Sequence, residues 1–226
     1  MSDVDLIVVD DAEEAAETAA RLIADAAGAG GHIALSGGSG PRLAYERAGI
    51  LQPDWGRVEL WWIDDRCVPP SDGRSNYRLI RESLLDGLSR PPAAVHRIRG
   101  EASPEVAADE YDAALAGVTL SLALMGIGPD GHTASLFPNA PTLDETERRA
   151  VAAEAGLEPF VPRVTMTRPL LGSTERMVYL VTGDEKAEAV ERAFAQSPSP
   201  ETPASLVRGS RTVAVLDRAA ASRLPA

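Results

Sequence analysis

The chain has 226 residues, 22 Lys+Arg against 34 Asp+Glu, a formal net charge of −12 and one cysteine. That length fits one α/β domain spanning residues 1–226, and 44% hydrophobic with 25% charged residues excludes a disordered or fibrous chain. The acidic balance argues against a nucleic-acid or anionic-membrane surface, no apolar run of about 18 residues exists to span a bilayer, and the lone Cys67 can form neither an internal disulfide nor a cysteine zinc site.

The acidic start, Met1 to Asp5, does not read as a secretory leader, so a cytoplasmic protein is expected. Leu6 to Val9 reads as a first strand. Residues 11 to 27 repeat Ala12, Ala15, Ala16, Ala19, Leu22, Ile23 and Ala26 at helical spacing, with Glu13, Glu14 and Glu17 where the helix dipole favours acid. Ile33 to Leu35 is a second strand, followed by a glycine loop and a helix opened by Pro41, whose missing N–H suits a first helical turn. Val58 to Ile63 is a third strand, Asn76 to Leu88 a helix, and Val95 to Ile98 a short strand. Ser103-Pro104 caps a helix with Ala107, Tyr111, Ala114 and Leu115 on one face. Leu120 to Ile127 is a continuous apolar run, as expected of a strand covered on both faces. Met177 to Val181 and Thr212 to Leu216 are later strands around a helix at 184–195, and Ser197 to Pro203 reads as a surface loop. The alternation predicts an α/β fold: a doubly wound, mostly parallel sheet with helices on both faces, in a single domain.

Three loops carry chemistry where strands should end, the rim at which open parallel sheets bind ligands. Ser36-Gly37-Gly38-Ser39-Gly40-Pro41-Arg42 reads either as a phosphate cradle at a helix start or as a plain tight turn. It lacks the Gly-Lys-Ser/Thr ending of a P-loop, and Pro41 stands where a nucleophile elbow centred on Ser39 needs glycine. Asp64-Asp65-Arg66-Cys67 follows a hydrophobic strand, with Ser75-Asn76-Tyr77 further on. Arg66 there either faces an anionic group, held by a neighbouring carboxylate, or joins a solvated salt-bridge cluster. Cys67 reads as a packing residue.

Gly126 to Pro138 contains a formal Gly-x-Gly-x-x-Gly, but Pro138 leaves little room for the helix of a dinucleotide fold. What remains is His132 on a glycine loop with Asp130 two residues earlier. A histidine with its ordinary pKa of about 6.5 can accept a proton near neutrality. His32 and His96 lack such surroundings and read as structural. Lys186, the chain's only lysine, follows Gly183 at a helix start, where an anion would offset its unfavourable place on the dipole. Arg163 opens the strand-like run Arg163 to Thr167. Three histidines make a multi-histidine metal site hard to build, and no cofactor is expected.

Together these segments resemble the 6-phosphogluconolactonase family over nearly the whole chain and in order, with Pro129 to Pro138 the most specific part. The resemblance implies membership of the wider group that includes glucosamine-6-phosphate deaminase. It implies metal-free hydrolysis of 6-phospho-D-glucono-1,5-lactone to 6-phosphogluconate in the oxidative pentose phosphate pathway. His132 would be the general base and Arg66 would stabilise negative charge; beside that, the spacing lets Asp130 either orient His132 or stabilise its imidazolium form. Ser36, Gly37, Gly38, Ser39, Arg42, Asp65, Arg163 and Lys186 would bind the substrate and its phosphate. The chain departs from the family in having Asp65 where Glu is common, Gly40 where Thr is common, and Arg42 in a Lys position. Two alternatives stand beside it: an amino-sugar-phosphate deaminase or isomerase, and a non-enzymatic sugar-phosphate sensor. The related deaminases carry an acid five residues after the loop histidine, where this chain has Phe137. A sensor would need a DNA-binding module and has no use for His132. The expected partner is a small sugar-phosphate lactone, with no nucleic acid or membrane, for a monomer or weak homodimer.

Overall fold

The computed structural model describes residues 4–38, 40–156 and 158–225. Strand β1 (Val4–Val9) leads into α1 (Ala12–Ala29), started by Asp11, whose carboxylate accepts from the N–H groups of Glu13 and Glu14. The alanine face of α1 is buried, at Ala15, Ala16, Ala19, Ala20, Ala24 and Ala27 around Ile23. Small side chains there let the helix lie close on the sheet and on its neighbour. Strand β2 (Gly31–Leu35) follows, then α2 (Arg42–Leu51) and β3 (Val58–Trp62). Pro41 stands at the boundary of α2, already in helical conformation, with Arg42 the first helical residue.

The chain continues through β4 (Asp64–Arg66), α3 (Asn76–Ser83), β5 (Ala94–His96), α4 (Pro104–Ala114) and β6 (Leu122–Met125). After these come β7 (Ala150–Ala153), β8 (Arg163–Met166), α5 (Arg168–Gly172), β9 (Arg176–Val181), α6 (Ala187–Phe194) and β10 (Arg211–Asp217). The main sheet has the order β1-β10-β9-β6-β2-β3-β5, with every pair parallel. Every residue of β6 is buried, as its apolar run predicts for a central strand. From β2 the chain steps by α2 and α3 towards the β5 edge; from β6 it steps by β9 and α6 towards the β10 side. Right-handed crossovers, the rule for parallel strands, then put α1, α2 and α3 on one face and α4 and α6 on the other. No described helix is long and apolar enough to cross a membrane.

Several expectations need correction. The helix expected over 76–88 ends at Ser83, because Leu84 leaves helical angles (φ −133°, ψ −63°) before a separate 3₁₀ turn at Leu85–Gly87. The helix expected over 184–195 is a 3₁₀ turn, Asp184–Lys186, followed by α6, so Lys186 sits just ahead of the α-helix. A small antiparallel sheet, β4-β8-β7, was not foreseen as a sheet. Its strands are only three or four residues long, too short to show alternation. The stretch Ser197 to Pro203 is not simply a surface loop: Thr202 and Pro203 are buried, and the Ala204 N–H donates to the Gly131 carbonyl at 3.0 Å.

Candidate active site

The direction of travel reverses between β2 and β6, and a crevice opens at the carboxyl ends of such strands. The loops after β9, β6, β2 and β3, four adjacent strands, meet there around a cavity of about 290 Å³. Ser36, Gly37, Gly38 and Gly40 form one wall and Gly126 to Pro129 with His132 and Ala134 another. Asp64, Arg66, Asn76 and Arg163 form the third, and Thr182, Glu185 and Lys186 close the rim.

His132 is held by its own loop. Its Nδ1 lies 2.6 Å from Asp130 Oδ1, and its backbone N–H donates to the same oxygen at 3.1 Å. Burial works against the Asp130 charge, but the hydrogen bonds and charge of His132 outweigh it and hold the carboxyl below its ordinary value. An ionised carboxylate only accepts, so Nδ1 carries a proton, and in the neutral imidazole it is Nε2 that holds the lone pair. Gly128 makes room: a Cβ there would overlap the His132 ring and crowd Asp130. Thr133 Oγ1 donates to the Gly126 carbonyl at 2.8 Å, and Ala134 accepts left-handed backbone at φ +53° beside the cavity. The Phe137 ring lies 4.9 Å from that of His132 and packs under the Arg163 guanidinium at 5.3 Å.

Arg66 and Arg163 are directly paired across β4 and β8. Burial pushes the Arg163 guanidinium below its ordinary value, Asp64 opposes this, and Arg66 adds to it. Two arginines side by side in a cavity that also holds Lys186 favour an anionic ligand. Arg66 Nη1 donates to the Arg74 carbonyl at 2.8 Å and to Asn76 Oδ1 at 2.6 Å, while its Nε has no partner among the described residues.

The two acids after β3 have separate positions. Asp64 lines the cavity and accepts from Ser135 Oγ at 2.6 Å and from Asn76 Nδ2 at 3.2 Å. Asp65 is buried behind the wall. It accepts from the N–H groups of Arg66, Asn76 and Tyr77 and from Ser75 Oγ, which fastens the start of α3 to β4. Arg42, expected at the phosphate, stays outside the cavity lining and pairs with Glu46 and Glu82 on the surface. Ser36 lines the cavity, and its carbonyl accepts from Tyr45 Oη at 2.5 Å. Gly37 and Gly38 also line it, and Ser39 lies outside the described residues. His132, Arg66, Arg163 and Lys186 are thus brought together, with Asp130 behind His132.

Asp64, Asn76 and Ser135 were missed as site residues. Asn76 had a readable signal: it shares the inward face of α3 with Ile80 and Ser83, a polar residue where packing should dominate. The pairing of Ser135 with Asp64 spans 71 residues and has no local signal. Cys67 is half-buried and burial, with Asp65 and Glu105 nearby, pushes its thiol up to about 11, which suits a packing residue. His32 and His96 sit away from the cavity around Trp61: the Trp61 Nε1–H donates to His32 at 3.1 Å, and His96 stacks on the indole and bonds Glu59. No cluster of three metal-ligating side chains occurs among the described residues.

The fold and cavity define a doubly wound α/β protein whose switch-point crevice holds a histidine and three basic side chains. The chain belongs to the glucosamine-6-phosphate isomerase/6-phosphogluconolactonase family, whose model matches residues 7–216. It is 35% identical to a 6-phosphogluconolactonase of Streptomyces coelicolor, covering 100% of this chain and 97% of that one. A Haemophilus influenzae 6-phosphogluconolactonase is 36% identical over 71% of this chain and 72% of its own. Among solved structures, a 6-phosphogluconolactonase from Thermotoga maritima superposes with a TM-score of 0.84 at 27% identity, covering 95% of this chain and 99% of that one. A monomeric glucosamine-6-phosphate deaminase shares the fold, with a TM-score of 0.85 at 21% identity over 97% of this chain and 99% of its own.

Proposed function

We propose that this chain hydrolyses 6-phospho-D-glucono-1,5-lactone to 6-phosphogluconate, a step of the oxidative pentose phosphate pathway. The observation that carries the reading is a histidine with Nδ1 engaged by Asp130, in one cavity with Arg66, Arg163 and Lys186. His132 Nε2 takes a proton from water as its oxygen attacks the lactone carbonyl. Arg66 meets the negative charge that develops on the carbonyl oxygen. The ring C–O bond then breaks, and the departing ring oxygen takes the proton back from His132. A lactone is an activated ester, so no covalent nucleophile is required. A positioned base contributes about 10²–10⁴-fold, and a donor at the oxyanion about 10²–10³-fold. The glycine-loop N–H groups, Arg163 and Lys186 hold the phosphate, fixing the ring for attack. The deaminase reading is weaker because it needs further carboxylates. Phe137 occupies the neighbourhood of His132, and both oxygens of Asp64 already accept hydrogen bonds.

We read the protein as a cytoplasmic enzyme of a small molecule, acting as a monomer or weak homodimer and without nucleic acid or membrane. The test is lactone hydrolysis by purified protein with no added metal. His132→Ala should abolish enzyme-dependent turnover while 6-phosphogluconate still binds; near-native turnover in that variant removes His132 as the base.

A further inference from the structure

Arg66 can act on a carbonyl oxygen only if its guanidinium is held in one plane, and a long arginine side chain has the rotational freedom to avoid it. Its Nη1 has two acceptors, the Arg74 carbonyl at 2.8 Å and Asn76 Oδ1 at 2.6 Å, and of these Asn76, at 2% exposure, is the buried side chain. The other end of the same amide donates to Asp64, to the backbone carbonyl at 2.9 Å and to Oδ1 at 3.2 Å. Asp64 Oδ2 in turn accepts from Ser135 Oγ at 2.6 Å, and Ser135 is three residues past His132 on the same loop. An unbroken chain of hydrogen bonds, buried as far as Asn76 and part-buried at Arg66, thus joins the loop of His132 to Arg66.

The polarity of that chain leaves little choice of side chain. Arginine only donates and the Asp64 backbone carbonyl only accepts, so the residue between them must present an acceptor to one and a donor to the other. Asparagine does both. Aspartate would set a second carboxylate against Asp64, and leucine would satisfy neither neighbour. The slot is also cut to size: a Cβ on Gly37 would overlap the Asn76 amide, so the glycine loop closes directly over it.

We propose that Asn76 is a positioning residue, whose amide, oriented by Asp64, fixes the Arg66 guanidinium for the oxyanion and keeps it in register with the His132 loop. This rests on the lactonase reading above. Asn76→Ala should lower kcat about 10- to 100-fold, the range expected when a reacting group is displaced by about an ångström, with KM changed less than about threefold. Removal of a merely structural contact would act regardless of Arg66, so the decisive measurement is a double-mutant cycle. In an Arg66→Ala background, Asn76→Ala should cost almost nothing further. Asn76→Asp, alike in shape, should lose as much as the alanine variant. Asn76→Ser, which keeps a small polar group at the start of α3, carries the same cycle if the alanine variant does not fold. Near-native kcat in the Asn76 variants, or a full additional loss on top of Arg66→Ala, overturns the proposal. A wild-type protein that turns over no phosphorylated lactone overturns the lactonase reading instead.

Discussion

At the scale of single residues, position along a short strand separates side chains that composition treats alike. Asp64 and Asp65 are neighbours of the same type, yet one faces the cavity and the other clamps α3. Gly128 shows the opposite dependence, a residue defined by what it lacks. Gly128→Ala should keep the fold but push the His132 ring off Asp130, since a Cβ there overlaps the ring. A displacement of that size costs about 10²-fold in rate. The check is kcat beside a thermal melt: a large kcat loss with a modest shift in Tm is expected, and unchanged kcat would show that the ring has somewhere else to go.

At the scale of elements, caps are local: the one at Ser103-Pro104 is legible in the sequence, and the structure adds a second at Asp11. Ser103 accepts from the Val106 N–H ahead of Pro104, and Asp11 accepts from two N–H groups of α1, both within three residues in sequence. Asp11→Ala should therefore destabilise the protein by about 1 kcal/mol. It should leave kcat and KM alone, because α1 contributes nothing to the cavity lining. Chemical denaturation with parallel kinetics checks this, and a change in KM would mean that α1 couples to the site. Among the elements missed, β4 and β7 were decided elsewhere in the chain: they exist as strands because they pair with β8, and the 199–205 segment ties to the His132 loop through the Ala204 N–H and the Gly131 carbonyl.

At the scale of the whole molecule, stability and site share buried charge. Burial pushes the Asp65 carboxyl up to about 6 from its ordinary 3.8, against the lowering pull of the Asn76, Tyr77 and Arg66 N–H groups. The folded chain therefore binds this proton more tightly than the unfolded chain. The group's contribution to stability is fully present below about pH 4 and is lost as pH rises through about 6. Thermal melts of wild type and Asp65→Asn between about pH 4 and pH 8 check the sign. Wild type should lose more stability across that window than the variant, whatever their difference at its start; equal slopes would show that Asp65 ionises freely. The same scale explains the division between sequence and structure. The sequence by itself determined the alternation of strands and helices and the glycine loops at strand ends, because hydrophobic period and capping are local; it set Asp130 two residues before His132, but the contact between them is a matter of how the loop folds. Only the tertiary structure decided that Asp64 faces the cavity and Asp65 does not, that Arg42 stays outside, and that Asn76 and Ser135 meet at Asp64. Side chains alternate along a strand, so which acid points inward depends on the register of β4 with β8, and that register is set by residues about a hundred positions away.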